Sequence, residues 1–454
     1  MDVFSIRNLK TLAVILLVVL VAFLGKTMTA ILPPLFLRMP LRDAFSFALV
    51  LNSKGIVELA VLTDLKRAKE MNQEIFSIMI VSLVIVTGLI SPLVKVLYDP
   101  SRGYLAYRRR TFFHSKANEE LRILACIHRE DNVQAVVNLL DASHPTRQRP
   151  VNLVVLHLVK LVGRASSLLG AHRPREKPSP YPSQSERIFN AFRKFEQRSR
   201  GALTINCFKG ISPYATMHND VCCIALERRT TFIVLPFHKH WSFGEWVESP
   251  VAIRNMNRNV LNKSPCSVGI LVDRGSRRKF RAVVAGAPVY RVAVLFFGGL
   301  DDREALAYAR RMSENPSVSL TLLCFSSSTD IVGGTERSKV LDSEILSEFR
   351  GKAEECDRIS CHEAVVVDGT GVMEVSRSVE SVHDLVMVGR RHGESEFMGE
   401  LRRWDGCEEL GRIGGMLAAS ELEDGASILV VQQQTRVWGM HDPEDSTHLR
   451  RVAL

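Results

Sequence analysis

The chain has few aromatic residues and no paired-cysteine spacing, and both shortages narrow what it can do. Aromatics make up 7% of its 454 positions and do not interleave with the scattered Lys and Arg. The formal charge of +10 therefore does not read as a nucleic-acid surface, which needs basic clusters beside stacking rings. Nine cysteines are present, an odd number, and none forms a Cys-x-x-Cys step. Cys222-Cys223 and Cys356…Cys361 fit no zinc template, and His238-Lys-His240 reads as a loop after a strand, so no metal is expected. A reduced compartment for the soluble part is the simple reading. No Ser/His/Asp triad or working acid pair appears, so neither an enzyme activity nor a cofactor is expected. A phosphate loop is missing too, because Gly25-Lys26-Thr27 has Leu20 where the earlier glycine should stand. The first apolar run is too long for a signal peptide and lacks a small-residue cleavage site.

What the chain does have is a division into unlike parts. A mean hydropathy near zero averages an apolar stretch up to about Leu97 with a globular remainder. Three apolar runs are long enough to cross a bilayer. The first starts near Leu12 and is expected to end before Pro33-Pro34, with Lys26 toward its far end. The third runs from Ile75 to Val94, and Pro92 is tolerable there. The second, from Ala44 to Leu62, carries Lys54 and Glu58 near its middle. On a continuous helix these two lie four apart and share a face. A charge at membrane depth costs roughly 2.5 kcal/mol or more, so it faces a partner or a pathway rather than lipid. Lys54, Glu58, Asn52 and Lys26 are therefore the candidate pathway residues. Each has a blander reading. Lys54 and Glu58 serve as a packing pair, Lys26 snorkels, and Asn52 satisfies backbone groups freed near Gly55. The cluster Arg108-Arg109-Arg110 just after the last run places the C-terminal side in the cytoplasm.

Beyond a basic linker (99–118), apolar strands alternate with helices, which implies parallel sheets covered on both faces. One such α/β domain is expected over 119–280 and a second over 285–435, followed by a polar tail (436–454). Late strands with basic exits (FIVLPFHKH, LVMVGRRHG) and closing strands (SVGILVD, SILVVQQ) recur at a spacing of about 160 residues, which suggests duplication. Gly389-Arg390-Arg391-His392-Gly393 follows a strand as an anion- or nucleotide-binding turn would, with a plain strand-to-helix turn as the alternative. Asp301 and Asp302 read as a helix start.

Several of these segments, in order, resemble one family. They are LRDAFSFALVLNSKGIVELAVL, QEIFSIMIVSLVIVTGLISPLVKVLYDP, LRILACIHREDNV, RTTFIVLPFHK, NRNVLNKSPCSVGILVDRG, DLVMVGRRHG and ELGRIGGMLAASE before SILVVQQQ. The chain is similar to the plant cation/proton exchangers (the CHX family) of the monovalent cation:proton antiporter 2 superfamily. The resemblance implies the last three helices of a broken-helix antiporter domain, followed by two domains similar to universal stress proteins. It implies a potassium- or sodium-for-proton antiporter of a plant endomembrane or plasma membrane, concerned with cation and pH homeostasis. Its partners would be a monovalent cation, a proton and membrane lipid, with homodimerisation and nucleotide binding left open. Lys54 matches a basic position that balances an ion-binding carboxylate, and Glu58 matches an acidic one. A complete member has roughly a dozen spans, so the chain is expected to be a C-terminal fragment that carries no ions alone. The alternative is a membrane-tethered regulatory module whose soluble domains bind a nucleotide or a protein.

Overall fold

The structure is a computed structural model that describes residues 9–36, 41–53, 55–69, 71–97, 109–115, 119–162, 167–171, 183–199, 201–242, 245–248, 251–274, 290–327, 336–393, 396–404, 406–420 and 425–435. The chain divides into two compact units, Met1–Gly103 and Tyr104–Leu454. Lys54, Arg108 and the tail after Thr435 lie outside the described residues, as does nearly all of the proline-rich stretch after Ala171.

The first unit is helical: α1 (Leu9–Phe36), α2 (Leu41–Asn52), α3 (Ile56–Arg67) and α4 (Gln73–Leu97). Its stretches 10–36, 44–67 and 73–94 are long and apolar enough to cross a membrane. α2 packs on α1 and α4, and α3 touches α4. Val14, Leu17, Val21 and Met28 on α1 and Val84, Ile85 and Leu89 on α4 stay exposed, an apolar exterior that water does not favour. Two expectations change here. α1 runs through Pro33 and Pro34 to Phe36, because prolines this close to a helix end strand only carbonyls of the last turns. The second run is not one helix but two, parted at Ser53–Gly55.

The second unit is built on one large sheet with helices on both faces, beside a small two-stranded one. Its first half comprises β1 (Leu121–Ile127), α5 (Asn132–Ala142), β2 (Val151–Lys160), β3 (Leu168–Ala171), α6 (Gln184–Arg198) and β4 (Leu203–Ser212). It continues through α7 (Tyr214–Glu227), β5 (Phe232–Pro236), a β6/β7 hairpin (Lys239–Ser242, Glu245–Glu248), α8 (Val251–Lys263) and β8 (Ser267–Val272). The second half comprises β9 (Tyr290–Phe296), α9 (Leu300–Met312), β10 (Val318–Ser327), α10 (Glu336–Glu355) and β11 (Ile359–Val366). It ends with α11 (Gly369–Val382), β12 (Leu385–Gly389), α12 (Glu396–Glu400), α13 (Gly411–Ala418) and β13 (Ser427–Gln432).

The eleven strands lie in the order β11-β10-β9-β12-β13-β8-β5-β1-β2-β4-β3. Leaving the edge strand β3 aside, each half has the same strand order, and the halves abut through their closing strands, β8 antiparallel to β13. Duplication thus appears in the topology, and the two expected α/β domains share a single sheet. Along β1, Leu121, Ile123, Ala125 and Ile127 enter one core while Leu124 and Cys126 enter the other. Both faces being buried, its sequence is apolar at every position but Arg122, which pairs with Glu120, rather than alternating.

Candidate functional site

The break between α2 and α3 lies in the middle of the second apolar stretch. Asn52, the last residue of α2, is buried, and its Nδ2 donates to Phe23 O (3.0 Å) and to Thr27 Oγ1 (2.7 Å) on α1. Thr27 in turn donates to Phe23 O at 2.7 Å. Asn52 Oδ1 is buried with no donor reaching it among the described residues. Ser53 turns back on α2, its Oγ donating to Val50 O at 2.7 Å. Gly55 then opens α3, and its N–H donates to Glu58 Oε2 at 2.8 Å. Glu58 therefore caps a helix start, with its charge at the positive end of the α3 dipole.

The expected pair of charges on one continuous helical face is corrected by this break. Glu58 belongs to the half-helix after it, and Lys54 falls outside the described residues. Lys26 is exposed on α1 and makes no part of the Asn52 cluster; its neighbour Thr27 does. Thr27 is not among the residues that the sequence singles out, since the charge of Lys26 beside it is the stronger signal. The available signal was a hydroxyl in an apolar helix, which needs an acceptor.

The second candidate, the turn after β12, is filled from within the chain. Asp301 and Asp302 stand in the first turn of α9, as a helix start should. Asp302 accepts from the N–H of Gly389 (2.7 Å), the N–H of Phe297 (2.7 Å) and His392 Nε2 (3.2 Å). Asp301 accepts from Arg391 N (2.9 Å), Nε (2.9 Å) and Nη2 (2.7 Å), and from Gln433 N (2.8 Å). Burial pushes the Asp301 carboxyl up, but Arg391 and the two backbone donors outweigh it and hold it below the usual range. Arg390 reaches Gln432 Oε1 at 2.7 Å and the Glu408 carbonyl. Gly393 is exposed. Internal carboxylates therefore take the donors that an anion-binding turn would offer a phosphate.

Residues 109–115 of the expected linker belong to the second unit. Buried Glu304 accepts from Phe112 N (2.6 Å), Phe113 N (3.1 Å) and Ser267 Oγ (2.7 Å), which ties segment 109–115 to the seam between the halves. Arg110 donates to the Ala225 and Leu226 carbonyls at the end of α7, both at 3.4 Å. His238 turns inward to Glu409, which also accepts from Asn257 Nδ2 at 2.9 Å.

Two family models match the chain. One, described as a plant cation/H(+) antiporter domain, matches residues 153–276, and the other, described as the plant cation/H(+) antiporter C-terminal domain, matches residues 289–432. The chain belongs to the plant cation/H(+) antiporter family. It is 39% identical to the Arabidopsis thaliana protein named Cation/H(+) antiporter 15, over 98% of this chain and 58% of that one. It is 38% identical to Cation/H(+) symporter 13 of the same plant, over 86% of this chain and 47% of that one. The chain thus spans about half the length of the curated relatives it matches. Those names denote transporters rather than enzymes. Among solved structures, a universal stress protein from Archaeoglobus fulgidus is similar at 14% identity, over 69% of this chain and 96% of that one, with a TM-score of 0.36. The cytoplasmic domain of a prokaryotic cation chloride cotransporter is similar at 9% identity, over 69% and 96% respectively, with a TM-score of 0.39.

Proposed function

We propose that this chain forms part of a monovalent cation/proton antiporter that exchanges potassium or sodium for protons. The break between α2 and α3 carries the reading. α2 ends in carbonyls without helical partners and α3 begins with N–H groups without them, so the two half-helix ends suit opposite charges. Asn52 Oδ1 adds a buried acceptor at the junction, and Glu58 holds the start of the second half. Lys54, between them in sequence, would supply an ammonium that balances a carboxylate of the ion route, with Lys26 a weaker candidate on α1. The basic residues after α4 favour a cytosolic second unit, and the membrane is a plant endomembrane or plasma membrane.

The alternative of a tethered module with a nucleotide at Gly389–Gly393 is disfavoured, since Asp301 and Asp302 already satisfy donors of that turn. Three spans do not enclose a midplane site, so exchange by this polypeptide alone is not expected. Reconstituted into vesicles with a trapped pH dye, it should show no potassium- or sodium-driven proton flux above protein-free vesicles. Robust flux would refute that part of the reading. Lys54→Ala, placed in the matching segment of a full-length relative, should lower exchange by about tenfold or more at unchanged protein level, equivalent to about 1.4 kcal/mol. Unchanged exchange would reduce Lys54 to packing.

A further inference from the structure

The two halves of the large sheet differ at one edge. Among the described residues, β3 is the strand with no counterpart in the other half, and the connection from β2 to α6 that holds it is longer than the one from β10 to α10. β3 runs antiparallel to β4, from Leu168 opposite Ile211 to Ala171 opposite Phe208, and forms the outer edge of the sheet. Core packing does not account for it. Leu168 is 50% exposed, Leu169 39%, and Val162 just past β2 is 75% exposed. By the alternation of β4, Lys209 and Ile211 share the sheet face that Ile205 and Cys207 present to the core beneath α6, and Leu168 stands beside them. α6 turns Ile188, Phe189, Phe192 and Phe195 inward, while Arg187, Asn190, Lys194 and Arg198 recur on its outer side. Arg187 pairs with Glu130, but Lys160, Lys194, Arg198 and Lys209 have no carboxylate partner among the described residues. The two acids of α6 are turned to the main chain: Glu186 accepts from Ser183 N at 2.8 Å and Glu196 from Ile205 N at 2.9 Å. The sequence flanking β3 has the same sign, with Arg164, Arg173, Arg175 and Lys177 against Glu176.

We propose that this edge, β3 together with the outer side of α6, docks on the anionic phospholipid surface of a bilayer. The four unpaired cations meet lipid headgroups, and Val162 with the two leucines enters the boundary between headgroups and acyl chains. Charge and exposed apolar side chains together select the occupant. Two copies paired through their β3 edges would set Lys160 and Lys209 against their own images, and like charges on an edge oppose such pairing. A neutral bilayer would take the apolar side chains and leave the cations without counter-charge. A few apolar side chains hold a surface only marginally, so the basic residues supply the second signal that lasting attachment needs. The chain also carries stretches apolar enough to cross a membrane, which keeps a bilayer at high effective concentration around this unit.

The test is amide exchange of the full chain, one copy to each lipid nanodisc. In discs of phosphatidylcholine with about one-third phosphatidylserine, residues 168–171 and 184–198 should exchange at least about threefold more slowly than in pure phosphatidylcholine. Raising salt to about 0.5 M should remove the difference, because exposed charges are then screened. Lys194→Glu combined with Arg198→Glu should remove it as well, with the thermal transition kept, since both positions are exposed. Leu168→Asp, which spares the cations, should reduce it. Equal exchange in the two kinds of disc, protection that survives high salt, or protection retained by the folded charge-reversed variant would each overturn the proposal. Protection that follows a second copy in the disc rather than lipid charge would assign the edge to self-association and overturn it too.

Discussion

Gly389 and Gly393 flank the same turn, yet only one of them has to be glycine. A Cβ on Gly389 would sit 2.5 Å from Asp302 Oδ1, 2.7 Å from the Asp302 backbone N and 2.9 Å from the Asp301 carbonyl carbon. Two of those three atoms are main chain of α9 and cannot swing aside. The closeness is what lets the Gly389 N–H reach Asp302, so the glycine serves an internal hydrogen bond rather than a phosphate. Gly389→Ala should therefore destabilise the second unit by about 2 kcal/mol or more. Gly393→Ala, at an exposed position, should change stability by less than about 0.5 kcal/mol. All four tryptophans lie beyond position 240, so tryptophan fluorescence on heating reports on that unit in the whole chain. Equal melting of the two variants would contradict the packing argument.

At the scale of elements, the break in the second apolar stretch rests on few hydrogen bonds, and one of them can be removed cleanly. The Gly55 N–H donates to Glu58 Oε2, so Glu58→Ala leaves it without that partner. Losing a cap costs about 1 kcal/mol, which predicts roughly fivefold faster amide exchange at Gly55. Glu58→Gln keeps an acceptor oxygen and should leave that exchange nearly unchanged. An identical effect of both would point to the charge instead of the cap. The break also shows why some elements were legible in the sequence and others were not. Strands such as Phe232–Pro236 and Ser267–Val272 announce themselves because both faces are buried, leaving apolar runs with at most one polar residue. α10 and α11 are less legible, since much of α10 faces water and Ser376 and Glu380 stand among the buried residues of α11. The split of α2 from α3 was hidden for the opposite reason: Leu51 and Ile56–Val57 are apolar on both sides, so hydropathy runs across it. Only the Asn-Ser-Lys-Gly composition marks it, as the reading of Asn52 as a partner for backbone groups freed near Gly55 anticipates, while the two charges point to a pathway instead. What fills the turn after β12 is not legible locally, because Asp301 and Asp302 lie far away in sequence and reach it only through the β9–β12 pairing.

The whole second unit behaves as one body because β8 and β13 close a continuous sheet and Glu304 ties the entering segment to that seam. Its response to acid should therefore be a shared one. His128 and His157 sit side by side at the exit ends of β1 and β2, with His157 Nδ1 2.8 Å from Ser185 Oγ. Burial pulls both pKa values down from 6.5 to about 4, helped by their mutual charge at His128 and by Lys209 at His157. A histidine with a depressed folded pKa binds fewer protons folded than unfolded between the two values. The folded state therefore keeps its full advantage above about pH 6.5 and loses it as pH falls towards 4. Glu304 works the other way: burial, partly offset by its donors, raises its pKa, so its share of stability is present at low pH and lost as pH rises through the folded value. The buried histidine pair therefore favours the folded state less and less as pH falls from 6.5 towards 4, against the opposite trend of Glu304. The melting temperature of the whole chain, followed by tryptophan fluorescence, should fall steadily over that interval. His157→Asn, which removes one titrating group and relieves its neighbour of a like charge, should make the fall shallower. A profile that is flat in the parent chain, or equally steep in the variant, would show that some other group governs the acid limb.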